Sequence, residues 1–183
     1  MFAGFHQIKT VCRSWERCAG CNNGAAAVEF TLIAAPFLAL LVAILQTAVV
    51  FFASRVLDET AEQASRHILT GQAQTAGMTQ SQFADYVCRK SSSLFNCNNF
   101  MINVQNYGSF ASANTSTPTL TFDSSGAVTN RWAWSPGNAG DIVIVQVMYQ
   151  WPVFLGPLGF NLANLSNGNR LLVSTVALKT EPY

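Results

Sequence analysis

Gly24-Ala25-Ala26-Ala27-Val28-Glu29-Phe30, continued without a break by an apolar run to Ala53, decides how this chain is read. The 24 residues from Phe30 to Ala53 carry no formal charge, and their only polar side chains are Thr31, Gln46 and Thr47. A bilayer needs roughly 20 apolar residues in a helix, so the run is long enough to cross one. Arg55 closes it. Glu29 stands at its entrance. A charged side chain costs about 2.5–3.5 kcal/mol at the centre of a membrane helix, and less near an interface. A carboxylate kept there implies something that needs it.

The flanks set an orientation. The first 24 residues hold Lys9, Arg13 and Arg17 against the single acid Glu16. Basic flanks stay on the cytoplasmic side. The N-terminus is therefore expected inside, and the chain from about Ser54 onward outside. A cleaved secretory signal is the competing reading, but it wants an apolar core of about 7–15 residues followed by small residues and a cut. Here the run is longer and continues through Phe51-Phe52-Ala53. A retained span is expected, giving a leader over 1–24, a transmembrane helix over 25–53 and an extracytoplasmic head over 54–183.

Beyond the span the helical spacing continues. Leu57, Ala61, Ala64 and Ile68 fall on one face, with Asp58, Glu59, Glu62 and Arg66 on the other. Gly71 offers a stop. A helix from about Ala26 to Thr70 would reach about 67 Å at 1.5 Å per residue. In the head, Thr79 and Gln82 form a capping box, which predicts a short helix from Gln80 to about Ser91 with Phe83 and Val87 inward. Strands are predicted at Phe100–Gln105, Thr119–Phe122, Ala127–Trp132, Ile142–Trp151 and Leu171–Thr180. Asp123-Ser-Ser-Gly126 should turn the middle two into a hairpin. Val143, Val145, Val147, Tyr149 and Trp151 alternate strictly and should face the core. Gln146 and Gln150 point the other way among Ile142, Ile144 and Met148, so that face is expected to be partly covered, with the long helix one candidate cover. Ser109–Thr119 reads as a loop. The fold class is α+β, with a long N-terminal helix packed on a small, mostly antiparallel sheet.

Charge and cysteine usage narrow the function. Charged residues make up only 10% of the 183, and the net charge is +1. With no basic patch, nucleic acid is excluded as a partner. Cys88 and Cys97 lie on the outer side, where an oxidising compartment favours joining them; two free buried thiols are the alternative. Cys12, Cys18 and Cys21 belong to the leader, in a reducing compartment. Cys18-Ala-Gly-Cys21 is a lone C-x-x-C, and a metal site with His6 has little to support it. The chain has only His6 and His67, and no Ser-His-carboxylate arrangement can be read from spacing. No enzyme activity and no cofactor or metal are expected. Trp132, Trp134 and Trp151 are read as core aromatics, or else as a ligand-lining surface.

Gly24 followed by Ala-Ala-Ala-Val-Glu29-Phe30 resembles the prepilin peptidase site of type IVb pilins, in which cleavage follows the glycine. The longer stretch Gly24–Phe37 is similar to the TadE/TadG-like pseudopilins of tight-adherence (Flp) pilus systems. Asp141-Ile-Val-x-Val-x-Val-x-Tyr149-x-Trp151-Pro152 and Arg170-Leu-Leu-Val resemble that family's C-terminal strands. The resemblance implies a pilin-like layout and a minor pilin-like component of an inner-membrane pilus assembly, cut between Gly24 and Ala25. Its implied partners are the prepilin peptidase, other pilins and pseudopilins through the N-terminal helix, and pilus assembly proteins of the inner membrane.

Cleavage would give Glu29 a task. A new amine on Ala25 would stand four residues away on the same helix face, and could pair with the carboxylate within one chain or across subunits. Ala27, Thr31, Ala35, Ala39, Ala43 and Thr47 recur every fourth residue. Such small-residue stripes let membrane helices approach closely; a chance repeat in an alanine-rich span is the alternative. Pro36 removes one backbone donor, and the resemblance implies a helix that loosens there on assembly. The other functional class is an uncleaved single-span inner-membrane protein whose periplasmic head binds a ligand or partner.

Overall fold

The computed structural model describes residues 23–91, 94–154 and 159–183. The leader, with Cys12, Cys18, Cys21 and His6, lies outside the described residues. Two compact units are present, the first ending at Ile44 and the second running from Leu45 to Tyr183.

Helix α1 spans Asn23–Leu69 and is continuous through Pro36. In the first unit its large apolar side chains are exposed: Val28, Phe30, Leu32, Ile33, Phe37, Leu38, Leu40, Leu41, Val42 and Ile44. Burying such a side chain is worth about 1.5–3 kcal/mol. Ten left in water would forfeit roughly 15–30 kcal/mol, more than the roughly 5–15 kcal/mol net stability of a whole domain. This half of the helix is built for apolar surroundings.

In the second unit the same helix buries Val50, Ala53, Leu57, Ala61, Ala64 and Ile68. The steps of three and four place them on one face, as the spacing predicts. Half of these six residues are alanines, so this face of the helix carries small side chains. Gly71 follows at φ +72°, where L side chains are strained. A Cβ there would also run into the Tyr183 ring, at 2.1 Å. Glu181 N–H donates to the Leu69 carbonyl at 2.8 Å, tying the C-terminal residues to the helix end.

A single turn, α2, covers Gln72–Thr75, and α3 covers Gln80–Lys90. The capping box is formed: Gln82 N–H donates to Thr79 Oγ1 at 3.3 Å, and Thr79 N–H donates to Gln82 Oε1 at 2.9 Å. Phe83 and Val87 are fully buried, as expected. Cys88 and Cys97 are joined in a disulfide with Cα atoms 5.4 Å apart. It links the end of α3 to the short 3-10 turn Cys97–Asn99 that opens the sheet.

The sheet has three antiparallel strands in the order β1 (Phe100–Tyr107), β2 (Ile142–Pro152) and β3 (Asn169–Lys179). Val104 pairs with Val145, and Val145 with Val176. Val143, Val145, Val147 and Tyr149 form one core with the buried face of α1, Phe83 and Val87. The architecture is α+β.

Two expectations are corrected. Thr119–Phe122 and Ala127–Trp132 are not strands. They meet at a single bridge, Phe122 to Val128, around the Asp123–Gly126 turn. Their apolar side chains pack instead on the sheet: Leu120, Phe122, Val128 and Trp132 join Met101 and Met148 in a second core. This segment, not the long helix, covers the second face of β2. Buried polar bonds hold it there. Asn103 Nδ2 donates to Gln146 Oε1 at 2.9 Å, and Gln146 Nε2 donates to the Ser116 carbonyl at 3.0 Å. Asn103 Oδ1 accepts from Ala133 N–H at 3.1 Å. Burying those amides without partners would cost about 1–3 kcal/mol each.

Candidate functional site

The sequence-predicted site lies in the first turns of α1. Gly24 is exposed, and a Cβ built on it would meet nothing within 4 Å. Glu29 and Phe30 are exposed as well, Phe30 at 73%. The first turn of any helix has four N–H groups without intrahelical partners, so it opens more cheaply than the interior. The Gly24–Ala25 bond sits in that turn. Positions 25 and 29 are four residues apart along α1.

The small-residue stripe lies along the same helix. Ala35 is exposed, while Ala39 and Ala43 are half-buried. Thr31 Oγ1 donates to the Ala27 carbonyl, satisfying its hydroxyl without help from another chain. Pro36 lies within the continuous helix, one residue beyond Ala35.

The head offers less chemistry. A cleft of about 580 Å³ is lined by residues including Glu59, Glu62, Arg66, His67, Tyr86 and Lys90. His67 packs edge-on against Tyr86, with ring centres 4.1 Å apart, and Arg89 and Lys90 lie over the same ring at 5.9 and 5.6 Å. Among the described residues no group of three His, Cys, Asp or Glu side chains is placed to hold a metal ion. Trp134 and Trp151 pack against the main core and Trp132 against the second. Trp134 also donates from Nε1 to the Met78 carbonyl at 2.8 Å. All three rings are half-buried, and Trp132 also lines an open cleft with Asn103 and Gln146.

Sequence reasoning missed one feature near the span. Gln46 lies inside the uncharged run, and its Nε2 donates to the Phe154 carbonyl at 3.2 Å, from the chain that follows β2. The two residues are 108 positions apart, and no local pattern announces the contact.

Residues 24–66 match the family model described as TadE-like protein. The match covers Gly24, Glu29, the apolar run and the start of its continuation. It does not reach the sheet, so the likeness of residues 141–152 and 170–173 to the family's strands lies outside it. No curated protein and no solved structure matches the chain. Residues 24–66 are similar to TadE-like proteins, and α1 is long and apolar enough to cross a membrane once.

Proposed function

We propose, taking the TadE-like segment as premise, that the chain is a pseudopilin. It is a minor pilin-like structural component needed to assemble a tight-adherence (Flp, type IVb) pilus. A prepilin peptidase cuts it after Gly24, and it then works through its N-terminal helix among other pilins, pseudopilins and inner-membrane assembly proteins. The observation that supports this best is Gly24 and Glu29-Phe30 standing at the start of a stretch of α1 whose large apolar side chains, from Val28 to Ile44, are exposed.

The chemistry of the cut belongs to the peptidase. The chain contributes a glycine without side-chain obstruction, in a helix turn that opens readily. Hydrolysis leaves an ammonium on Ala25. Glu29 neutralises it within the chain or in a neighbouring subunit, at a depth where either charge alone is costly. The helix macrodipole also favours a carboxylate near an N-terminus. Pairing between subunits would set their axial register. The head faces the periplasm and keeps its disulfide there.

N-terminal sequencing of the chain from membranes, with and without the prepilin peptidase, is the direct test. A start at Ala25 that depends on the peptidase is expected. A start at Met1 or Phe2 in both strains would leave an uncleaved single-span protein with a periplasmic binding head.

A further inference from the structure

The chain that follows β2 comes back to the apolar run of α1. Pro152 ends the strand, Val153 is half-buried, and the Phe154 carbonyl accepts from Gln46 Nε2. The Phe154 side chain is 77% exposed. The neighbouring turns of α1 expose Leu45, Val49, Phe51 and Phe52, the last two at 64% and 60%. From Ile142 to Asn169 the sequence has no formal charge, and the first after it, Arg170, stands opposite Trp151 in the β2–β3 pairing.

Depth follows from the helix rise. Gln46 precedes Arg55, the first charge on α1 after Glu29, by nine residues, about 13 Å along the axis. The headgroup layer on each side of a bilayer is about 5–7 Å thick. With Arg55 at the water boundary, Gln46 and the Phe154 carbonyl lie below the headgroups. The hydrogen bond between them fits that setting. Where no water reaches, a backbone carbonyl and a side-chain amide must satisfy each other, and such contacts hold membrane segments together. Arg170 and Trp151, paired in the sheet three residues before Phe154, are residue types that gather at the headgroup level.

We propose that Val153 and Phe154, where the chain leaves β2, dip into the outer leaflet of the membrane that α1 crosses, with lipid acyl chains as their occupant. This gives the head a second point of attachment beside its helix. It rests on α1 being a membrane span, and the test separates the two ideas.

An environment-sensitive nitrobenzoxadiazole label is placed at Phe154→Cys, Val42→Cys or Ser124→Cys. The background is full-length chain carrying Cys12→Ser, Cys18→Ser and Cys21→Ser, with the Cys88–Cys97 disulfide kept. Each variant is reconstituted into phosphatidylcholine–phosphatidylglycerol vesicles with brominated acyl chains. Val42 lies in the span and Ser124 on the exposed Asp123–Gly126 turn. The label at 154 should be blue-shifted and quenched by bromolipid as at 42, while the label at 124 stays accessible to aqueous iodide. Quenching at 42 with a water-like signal at 154 would overturn the proposal and leave the span intact. A water-like signal at both sites would overturn both. Shielding of 154 from bromolipid and iodide alike would assign the surface to a protein contact instead of lipid, and overturn the proposal as well.

Discussion

From Val28 to Ile44, α1 turns its large side chains outward, whereas from Val50 to Ile68 it turns a seam rich in alanine inward. Both stretches belong to one helix, and their hydrogen-bonded backbone is the same. What differs is the distribution of apolar side chains around the axis. The first stretch is apolar all round and its only nearby charge is Glu29; the second carries Arg55, Asp58, Glu59, Glu62 and Arg66 opposite its seam. A helix apolar on every side must be covered by something other than its own chain, while a helix with one apolar stripe can be covered by one sheet. In the role proposed above, the difference separates a part that serves assembly from a part that serves folding.

The largest expected effect breaks assembly alone. Glu29→Gln removes the partner proposed for the amine on Ala25. An unpaired charge at the span costs about 2.5–3.5 kcal/mol at most, and each 1.4 kcal/mol is tenfold. Incorporation into pili should fall by up to about sixtyfold to three-hundredfold, with cleavage and thermal melting of the head unchanged. Quantitative blotting of sheared fibres against membranes reads this. Fibres that contain the variant at parental levels would sink the role given to Glu29.

The reverse case comes next. Removing the disulfide with Cys88→Ser and Cys97→Ser together frees a nine-residue separation in the unfolded chain. Such a loop contributes about 2–3 kcal/mol. The midpoint of urea unfolding of the head should drop accordingly, while the apolar stretch of α1 still partitions into membranes.

One substitution placed on both halves sharpens the contrast. Ala64 is fully buried, so Ala64→Leu overpacks the seam at a cost of about 1–3 kcal/mol. Ala39→Leu, made in the first unit, should leave unfolding of the head unmoved and reduce fibre incorporation by obstructing helix approach. Equal effects of the two on unfolding would erase the distinction between the halves.

How far the sequence could be read follows the same physics. The seam of α1, the capping box of α3, the cysteine pair and the three strands each leave a local signature in spacing or residue type. The segment between β1 and β2 does not. Leu120, Phe122, Val128 and Trp132 recur as in strands because they cover one face of the sheet, and periodicity reports burial, not ladder hydrogen bonds. Gln146 reads as an outward residue of an alternating strand, yet it is 3% exposed because Asn103 and Ser116 satisfy its amide. Partners 43 and 30 positions away in sequence leave no local trace. At the candidate site the residue types were legible. The group Glu29 is proposed to meet is created by a bond cleavage.

The smallest effect is confined to the turn at Asp123, far in sequence from either half of α1. Its Oδ1 accepts from the Ser125 hydroxyl at 2.6 Å and from the N–H groups of Ser125 and Ala127 at 2.8 and 3.0 Å. The Ser125 hydroxyl first, and then the backbone N–H groups, hold the carboxyl below its ordinary value of 3.8. A carboxyl lowered by folding stabilises the turn at pH above its unfolded value and loses that contribution as pH falls through the folded one. Protection of the Ala127 amide should therefore be flat at neutral pH and decline only below about pH 3.8. Because the side chain is exposed to water, the change should stay local, with no shift in unfolding of the head. In Asp123→Asn the Ala127 amide should be less protected at neutral pH and lose the acid-side decline. Protection that ignores acid in the parent would mean that backbone turn geometry alone holds this corner.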